Sequence, residues 1–438
     1  MMRIDLQGAS LHFGDHEPLF EGVDLAIEGG RLVVIEGASG CGKSSLLRLL
    51  NRLQEPTAGR LLVDGSPAAA IDITDLRRRA LLVPQSPVAV PGTVRDNLCW
   101  PFTFRANRKH AHPADDLLRH RLDALLLQDV SLDDEAGTLS VGQRQRLALL
   151  RALLLEPDIL LCDEPTASLD DVARDVIESQ LEDRCAAGFG VVVYPPGLHG
   201  AGWECLAGKT AARRSGGCRM SPVTIGPGQL LLCSSSSSPA APRWPCSCGW
   251  SVTCFGEPCS TFAQLFLVGY VLEFVFAIET PWLVLLVFVF MVFWAAHAVR
   301  GRVRDSQVTV FAPTFLSMVI SYLAVTILVT AVVFQVDPWW MPQHFIPLGG
   351  MIADNSMNAI STCLERLLTG LRDRRERIEL ALSMGATYRE ATSDLFGGAV
   401  RAGMIPSINA LMTVGLVSLP GMMTGQILAG VAPVSAVK

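Results

Sequence analysis

The stretch 32–50, LVVIEGASGCGKSSLLRLL, decides the fold of the first part of this chain. It contains the pattern Gly-x4-Gly-Lys-Ser, which predicts a phosphate-binding loop between a buried strand and a helix. Glycines let backbone N–H groups converge on an anion, and the helix that follows adds its positive N-terminal end. We expect Lys43 to reach the β- and γ-phosphates of a nucleoside triphosphate and Ser44 to hold Mg²⁺. The full set of expected phosphate-loop contacts is Gly37, Ser39, Gly40, Cys41, Gly42, Lys43, Ser44 and Ser45.

The composition divides the 438 residues into parts of different character. Half of the residues are hydrophobic, but the excess is uneven: charge is spread through the first part of the chain, and long apolar runs dominate residues 261–438. A chain of this length predicts two or more domains. The net charge of −6 argues against a nucleic-acid partner, which would favour a basic stripe. The N-terminus MMRIDLQGASLHF resembles a strand and not a secretory leader.

Two apolar strands end in the side chains that hydrolysis of a triphosphate requires. The run 159–162 is followed by Asp163 and Glu164, and the run 80–83 leads to Gln85. Adjacent residues at a strand end point in different directions, so Asp163 can hold Mg²⁺ while Glu164 polarises the attacking water. A glutamine in the place of Gln85 can ligate the metal or orient the water, although most such residues are solvated loop residues. The sequence therefore predicts a metal-dependent ATPase.

Two further features are consistent with bound nucleotide. Ser140 is a suitable N-cap for a leucine-rich helix, and Gly142 permits a phosphate to approach the N-terminus of that helix. Phe13, which precedes a Gly-Asp pair, is placed to stack on an adenine ring. An aromatic side chain near a turn is more often part of a core, so the residue pattern alone leaves both interpretations of Phe13 open.

In this order, the motifs over roughly residues 3–193 closely resemble the nucleotide-binding domain of ATP-binding cassette (ABC) transporters. The resemblance identifies Phe13 as the adenine-stacking aromatic and Gln85 as the Q-loop residue. It also identifies 139–143 (LSVGQ, usually with glycine at position 141) as the signature motif and 168–170 as the D-loop. It implies that two such domains pair head to tail, each signature motif capping the ATP of the other. The residues expected at that second contact are Ser140, Gly142, Gln143 and Asp170.

One element of the family pattern is missing. After the strand that ends at Val193, the family has a threonine–histidine pair whose histidine contacts the γ-phosphate, whereas this chain has Tyr194-Pro195-Pro196. His199 is the nearest histidine, but the two prolines would break the strand end that positions it. The departure predicts impaired ATP turnover.

Residues 194–260 form an irregular segment in which proline, glycine, cysteine and serine follow no period. One interpretation is a linker with a thiolate metal site, but the cysteine spacing at 246, 248, 254 and 259 fits no zinc pattern, and a reducing cytoplasm does not favour disulfides. The interpretation that we favour is partial translation out of frame. A shift of one nucleotide at the Tyr-Pro-Pro codons would restore Thr-His, and Met220 would then begin a second reading frame.

The apolar runs of residues 261–438 predict membrane-spanning helices. Three runs have the length needed to cross the hydrocarbon core, and two weaker ones are interrupted by glycine, proline or Asp354. Buried helices of a soluble protein are the alternative, which a charge-free run from Leu283 to Ala296 argues against. The predicted fold is an α/β P-loop ABC ATPase domain (1–193) followed by an all-α multi-span membrane domain. The candidate spans are 261–278, 282–299, 311–336, 345–363 and 399–419.

Arginine-rich loops predict the orientation of these spans. Arg300, Arg302 and Arg304 follow the second span, and a further cluster lies in the loop 366–377. The positive-inside rule places both loops on the cytoplasmic side of the inner (plasma) membrane, together with the ATPase domain. Within the second loop, residues 379–386 resemble the coupling element with which ABC permeases dock near the Q-loop.

The membrane region resembles the FetB family of iron-export permeases, whose ATPase partner is the FetA cassette. The stretches that carry the resemblance are 264–276, 346–357, 381–387 and 414–430. The resemblance implies an ABC half-transporter that uses ATP and Mg²⁺, pairs with a second half in the lipid bilayer and exports a metal ion such as iron. It also implies further spans beyond the last residue. The rivals are a soluble ABC ATPase of a non-transport kind and an ATP-binding product of a frame-disrupted operon.

Polar residues in the glycine-broken fourth span are candidates for the transport path. Asp354, Asn355 and Asn358 lie there, and polar groups at membrane depth usually face a cavity. The methionines at 351, 357, 422 and 423 are soft donors, but methionine in a membrane helix usually fills packing space.

Overall fold

A computed structural model of the chain forms two compact units. The first unit combines Met1–Ser236 with Arg374–Ser393, and the second combines Ser237–Asp373 with Asp394–Lys438. The residues that the structure describes are 2–13, 18–36, 41–194, 219–224, 269–270, 273, 275–276, 280–302, 311–414, 421–430 and 432.

The strands of the first unit build two sheets. An antiparallel sheet has the order β2-β1-β4-β5, and a parallel sheet has the order β6-β7-β8-β3-β9 once the strands are numbered along the chain. These strands are β1 (Arg3–Leu11), β2 (Phe20–Glu28), β3 (Arg31–Glu36), β4 (Ala58–Val63), β5 (Ser66–Pro67), β6 (Ala80–Val83), β7 (Ile159–Asp163), β8 (Gly190–Tyr194) and β9 (Arg219–Thr224). The strands of the parallel sheet include continuous apolar runs because helices cover both faces of such a sheet.

Helices cover both faces of the parallel sheet in the first unit, and further helices build the second unit. The helices that the structure describes, numbered along the chain, are α1 (Lys43–Leu50), α2 (Ile73–Arg79), α3 (Val94–Cys99), α4 (Asp115–Asp123), α5 (Val141–Leu153), α6 (Asp171–Ala186), α7 (Pro281–Arg302), α8 (Phe311–Ile327), α9 (Pro342–Asp373), α10 (Arg375–Ser383), α11 (Tyr388–Thr413) and α12 (Gly421–Leu428). One core packs α1 between the two sheets, and a second core packs α5 and α6 against the other face of the parallel sheet. The predicted α/β P-loop architecture is therefore present.

β9 departs from the expectation of an irregular segment over 194–260. It pairs in parallel with β3, with Leu32 opposite Met220 and Val34 opposite Pro222. The structure thus places Met220, which we had interpreted as the start of a second reading frame, in the sheet of the first unit. An edge strand has a partner on one side only and tolerates a proline, which explains why composition alone hides it. The rest of 195–260, including His199 and the cysteines of the proposed thiolate site, lies outside the described residues.

The second unit is helical and apolar. Two of its described helical segments, Pro281–Gly301 and Phe311–Val333, have the length and composition of membrane spans, each with a mean hydropathy of 2.4. The latter continues α8 through one π-helical stretch, Leu328–Val333. The predicted fourth span lies inside α9, and most of the predicted first span lies outside the described residues. This unit supplies the membrane domain that the sequence predicts.

Close packing in the second unit depends on glycine. A Cβ atom on Gly349 of α9 would lie 2.5 Å from Cε2 of Phe288 on α7, and one on Gly403 of α11 would lie 2.8 Å from the carbonyl oxygen of Ala359. Small residues allow helices to approach closely where lipid supplies no hydrophobic driving force between them.

Candidate functional site

The phosphate loop leads directly into α1. Its first half, including Gly37, Ser39 and Gly40, lies outside the described residues. Gly42 has a φ of 92°, and an added Cβ would lie 2.8 Å from the side chain of Leu19, so only glycine fits there. Lys43 is 4% exposed, and its Nζ lies 3.7 Å from Sγ of Cys41. The described half of the loop therefore needs glycine at position 42, and its contacts with phosphate remain predictions.

Asp163 and Ser44 form the candidate magnesium site. Asp163 ends β7 and is 7% exposed, and the Ser44 hydroxyl lies beside its carboxylate. Burial raises the pKa of Asp163, and the neighbouring Ser44 hydroxyl offsets only part of this rise. The Oδ1 atom is buried without a hydrogen-bond partner among the described residues. A hydroxyl beside an unsatisfied carboxylate oxygen is the kind of ligand set that Mg²⁺ takes, so these residues fit the ion.

Glu164 and Gln85 lie side by side. Nε2 of Gln85 donates a hydrogen bond of 2.7 Å to Oε2 of Glu164. Glu164 has a φ of 49°, a left-handed conformation directly after β7, and its carbonyl oxygen accepts a 3.0 Å hydrogen bond from Gln145. The structure thus brings together the two residues that we expect to handle the attacking water, and their catalytic roles remain predictions.

Two residues of α5 that the sequence analysis missed position this site. Gln145 holds the Glu164 backbone, and Arg151 donates a 3.0 Å hydrogen bond to the carbonyl oxygen of Val88, three residues after Gln85. Arg151 is 1% exposed, and burial lowers its pKa to about 10. The available signal was a pair of large polar side chains inside a leucine-rich helix, because such side chains are rarely buried unless they have a specific partner.

The signature-motif residues cap α5. Ser140 accepts a 3.2 Å hydrogen bond from the Gln143 backbone, and the Gln143 side chain accepts a 2.9 Å hydrogen bond from the Ser140 backbone. This reciprocal pair is a capping box, which stabilises the helix start without any ligand. A Cβ on Gly142 would lie 3.2 Å from the carbonyl oxygen of Ser168, so glycine also permits packing within the chain.

Asp170 and Phe13 complete the predicted ATP contacts. Asp170 caps α6 by accepting a 3.0 Å hydrogen bond from the Ala173 backbone. Phe13 is 51% exposed, so it is not part of the core, which was the alternative to adenine stacking. The contacts of both residues with ATP remain predictions.

The segment Arg374–Ser393 belongs to the first unit although its neighbours in sequence belong to the second. We call it the docking segment. Leu380, Ala381 and Met384 are each at most 2% exposed and join the core that contains α5. The Ser383 hydroxyl donates a 3.3 Å hydrogen bond to the carbonyl oxygen of Leu82. The expectation that residues around Ser383 lie near the Q-loop is therefore confirmed.

Polar contacts and a tight turn fix the docking segment further. Asn107 donates a 2.9 Å hydrogen bond to the carbonyl oxygen of Met384, and Glu390 accepts one of 2.9 Å from the Arg105 backbone. Gly385 has a φ of 87° and follows the end of α10, where an L-residue would be strained. The segment therefore has one defined position on the first unit.

A cavity of about 210 Å³ connects the docking segment to the candidate ATP site. Its wall includes Ser44, Gln85 and Asp163 on one side and Glu379 and Ser383 on the other. An ion pair of 3.3 Å also joins Glu379 to Arg48 of α1. The candidate ATP site and α10 therefore face the same cavity and are joined by an ion pair.

Comparisons with known proteins identify an ATPase part and a membrane part in this chain. The model of the family described as "ABC transporter" matches residues 20–167, and that of "Uncharacterised protein family (UPF0014)" matches residues 253–438. A UPF0014 membrane protein of Synechocystis sp. is 41% identical over 176 residues, which cover 40% of this chain and 68% of that protein. The chain belongs to the UPF0014 family.

Two further relatives concern the two parts of this UPF0014 protein. "Probable iron export permease protein FetB" of Escherichia coli is 38% identical over 179 residues, which cover 40% of this chain and 66% of that protein. "Phosphate import ATP-binding protein PstB 1" of Vibrio vulnificus is 33% identical over 190 residues, which cover 41% of this chain and 69% of that protein. The chain therefore carries an ABC ATPase domain fused to a UPF0014 membrane domain.

The chain spans about two thirds of the length of the two membrane proteins, 68% and 66%. It spans 46% of "Protein STAR1" of Oryza sativa, to which it is 39% identical over 165 residues. Residues 168–252 lie between the two family matches.

Proposed function

We propose that this chain is one half of an ATP-driven ABC transporter that exports a metal cation such as iron. The single observation that supports coupling is the docking segment, because residues that interrupt the membrane domain in sequence share a cavity with Ser44, Gln85 and Asp163. The domain boundaries that we propose are 1–193 for the ATPase, 194–260 for the connecting segment and 261–438 for the membrane domain.

The geometry supports a division of roles at the ATP site. Lys43 and the loop backbone would hold the phosphates, and Glu164 would polarise the attacking water while Gln85 orients it. Ser44 and Asp163 would hold Mg²⁺, which neutralises charge on the β- and γ-phosphates when bound. Gln85 also lies at the cavity that α10 lines. A change in its hydrogen bond to Glu164 would therefore alter the surface that contacts the docking segment.

A second half is required for a complete site in this proposal. Ser140, Gly142, Gln143 and Asp170 of one chain would meet the ATP of its partner, in the head-to-tail pairing that the ABC resemblance implies. Within one chain Ser140 and Gln143 cap a helix, and this fixes the N-terminal end of α5 that the partner's phosphate would approach. The inner membrane, with the ATPase domain on the cytoplasmic side, is the location that the arginine-rich loops favour.

The second candidate is an ATP-binding product without efficient turnover. Tyr194 ends β8 and is paired with Asp163, so the residues after it occupy the chain position at which the family has its Thr-His pair. Proline at 195 and 196 in place of Thr-His favours this candidate, and out-of-frame translation is the hypothesis that would explain it. Resequencing the DNA that encodes residues 190–262 tests the hypothesis of out-of-frame translation. A single-nucleotide change near codon 194 that restores Thr-His would support it. If no such change restores Thr-His, the hypothesis is excluded.

The test of the export function uses the purified chain in proteoliposomes with the ATPase domain outside. ATP should drive accumulation of iron inside the vesicles, and Glu164→Gln should abolish both hydrolysis and accumulation. Background hydrolysis that Glu164→Gln leaves unchanged would favour the second candidate. Hydrolysis that depends on Glu164 without movement of iron would reject the cargo but keep the ATPase.

A further inference from the structure

The second unit contains an open cavity of about 340 Å³ between α8, α9 and α11. Apart from the apolar Met318, Ala359 and Ile360, its wall consists of uncharged hydroxyl and amide side chains. These are Ser317, Ser321, Tyr322, Asn355, Ser356 and Ser407. Hydroxyls and amides from three separate helices therefore converge on one space, and none of the groups in this wall carries a charge.

Tyr322 is the residue that marks this space as a binding site. It is 3% exposed, and its hydroxyl lies beside Ser356 but has no well-formed hydrogen bond to a described residue. A buried hydroxyl without a partner costs about 1–3 kcal/mol, and the hydrocarbon core offers no water from outside. Water or a solute in the cavity, whose wall includes the exposed Ser317, Ser321, Asn355 and Ser407, can act as its partner.

Three buried hydroxyls of α8 and α9 have no hydrogen-bond partner among the described residues, those of Tyr322, Thr326 and Ser361, and only Tyr322 belongs to the cavity wall. Thr330 donates a 2.9 Å hydrogen bond to the carbonyl oxygen of Thr326, and Thr362 donates one of 3.0 Å to that of Asn358. Short side chains in a membrane helix satisfy themselves on their own backbone in this way. The ring of Tyr322 places its hydroxyl too far from the helix axis for such a bond, and the polar group beside it is Ser356 of the cavity wall.

The cavity lies along a segment that can cross a membrane. Tyr322 is at the middle of Phe311–Val333, one of the two described segments with the length and composition of a span. Polar groups at this depth mark pathways for solutes and ions. Of our three sequence candidates for the path, Asn355 is part of the wall and Asp354 and Asn358 are outside it, and all three are exposed. Successive residues of a helix point about 100° apart, which the sequence pattern did not resolve.

We propose that this cavity is the cargo site of the transport path and that it holds a hard cation together with its water shell. The inference rests on the proposed export function. Hydroxyl, amide and water oxygens suit hard cations, whereas thiolate and imidazole select Cu(I) or Zn²⁺. The wall contains one thioether, Met318, and no cysteine or histidine. Elsewhere among the described residues there is no cluster of three or more His, Cys, Asp or Glu side chains that could hold a metal.

The size and the neutrality of the cavity point to the same chemistry. Six waters occupy about 180 Å³ at about 30 Å³ each, so a cavity of about 340 Å³ has room for a divalent ion with a complete first shell. Neutral oxygens cannot compensate a bare divalent charge, so the ion keeps its waters. Weak binding of this kind also allows release, which transport requires.

The direct test is binding of Mn²⁺, a hard ion with an electron paramagnetic resonance signal, to the full chain in detergent without ATP. The double variant Tyr322→Phe/Ser356→Ala removes two hydroxyls and keeps the packing. It should bind Mn²⁺ about tenfold more weakly than the wild type, since each hydrogen bond contributes about 0.5–1.5 kcal/mol. Thr413→Ala, which removes a hydroxyl that bonds to its own helix outside the wall, should bind like the wild type.

Three results would overturn the inference: no Mn²⁺ binding by the wild type, equal affinity in the double variant, or displacement of Mn²⁺ by an equal concentration of the soft ion Cd²⁺. Ions bound at the ATP site cancel in the comparison of the wild type with the double variant, and the Cd²⁺ result is counted only for the Mn²⁺ that the double variant fails to bind. Iron transport separates this inference from the export function. If the wild type and the double variant transport iron equally, the cavity inference fails and export stands. If the wild type moves no iron, export fails and the Mn²⁺ titration still decides the cavity.

Discussion

The two units use the same apolar residue types in opposite ways. In the first unit large apolar side chains are inside: Phe20 is 0% exposed and Leu160 is 2% exposed. In the second unit Trp282 is 81% exposed and Leu411 is 77% exposed. Water excludes apolar surface and drives the first arrangement, whereas lipid accepts it and permits the second. The comparison shows that one chain is adapted to two solvents.

The source of stability differs accordingly. Burial of apolar area stabilises the first unit, at roughly 25 cal/mol per Å². The second unit gains little from burial in lipid and depends on close contact, as at Gly349 beneath Phe288. The following predictions separate these two regimes and the chemistry that they support.

The largest effect is expected at the ATP site of the first unit. Glu164→Gln removes the carboxylate that would polarise the attacking water, and ATP hydrolysis should fall by about 10²–10⁴-fold while ATP binding persists. Steady-state phosphate release and binding of a fluorescent ATP analogue measure the two quantities. Glu182→Gln, an exposed carboxylate on α6, is the matched control and should hydrolyse ATP normally. Persistent turnover in Glu164→Gln would remove Glu164 from the mechanism.

A backbone clash should destabilise the first unit alone. Gly59 has a φ of 90°, and an added Cβ would lie 2.4 Å from the carbonyl oxygen of Gly8. Gly59→Ala should lower the free energy of unfolding of the first unit by about 3 kcal/mol, because neither backbone can move without breaking the sheet. Calorimetry of the full chain would follow it. Gly137→Ala, where an added Cβ meets nothing within 4 Å, is the control. An unchanged unfolding temperature in Gly59→Ala would contradict this account of the sheet.

A smaller clash should act on the second unit alone. Gly349→Ala places a Cβ 2.5 Å from the ring of Phe288, and the ring can move where a backbone cannot. We expect a loss of about 1–2 kcal/mol in the second unit. Phe288→Leu in the same chain should restore part of it, and Gly397→Ala, with open space around it, should have no effect. Failure of the rescue in thermal unfolding would show that the helices are not held by this contact.

The smallest effect concerns a helix cap. Thr93 and Asp96 form a capping box at the start of α3. Thr93→Ala should cost about 1 kcal/mol of stability in the first unit and leave the second unchanged. Thr138→Ala, which removes an exposed hydroxyl outside any helix cap, is the control. Equal unfolding curves for Thr93→Ala and the wild type would show that water replaces the cap.

Much of the first unit could be predicted because its signals are local. A buried run followed by Gly-x4-Gly-Lys-Ser fixes β3 and α1, and an apolar run that ends in two carboxylates fixes β7. The cap formed by Ser140 and Gln143 follows the same local logic, although its role in the helix was only partly anticipated.

What escaped prediction depends on partners far away in the sequence. The sequence around Arg151 does not indicate that its guanidinium donates a hydrogen bond to the carbonyl oxygen of Val88. The strand β9 pairs with β3, which is far away in the sequence, and of the three path candidates on α9 only Asn355 belongs to the cavity wall. Each of these outcomes is set by tertiary packing, which a periodic pattern does not specify.

The dependence of transport on the docking segment is tested most directly by Ala381→Glu, measured for ATP hydrolysis and iron transport in the same vesicles. Ala381 is 1% exposed, so a carboxylate there would be buried without a partner and would displace α10. We predict hydrolysis that persists and transport that falls to background, while Arg389→Ala, at an exposed residue of the docking segment, keeps both. Transport at the wild-type rate in Ala381→Glu would contradict the mechanical link between the ATP site and the membrane domain.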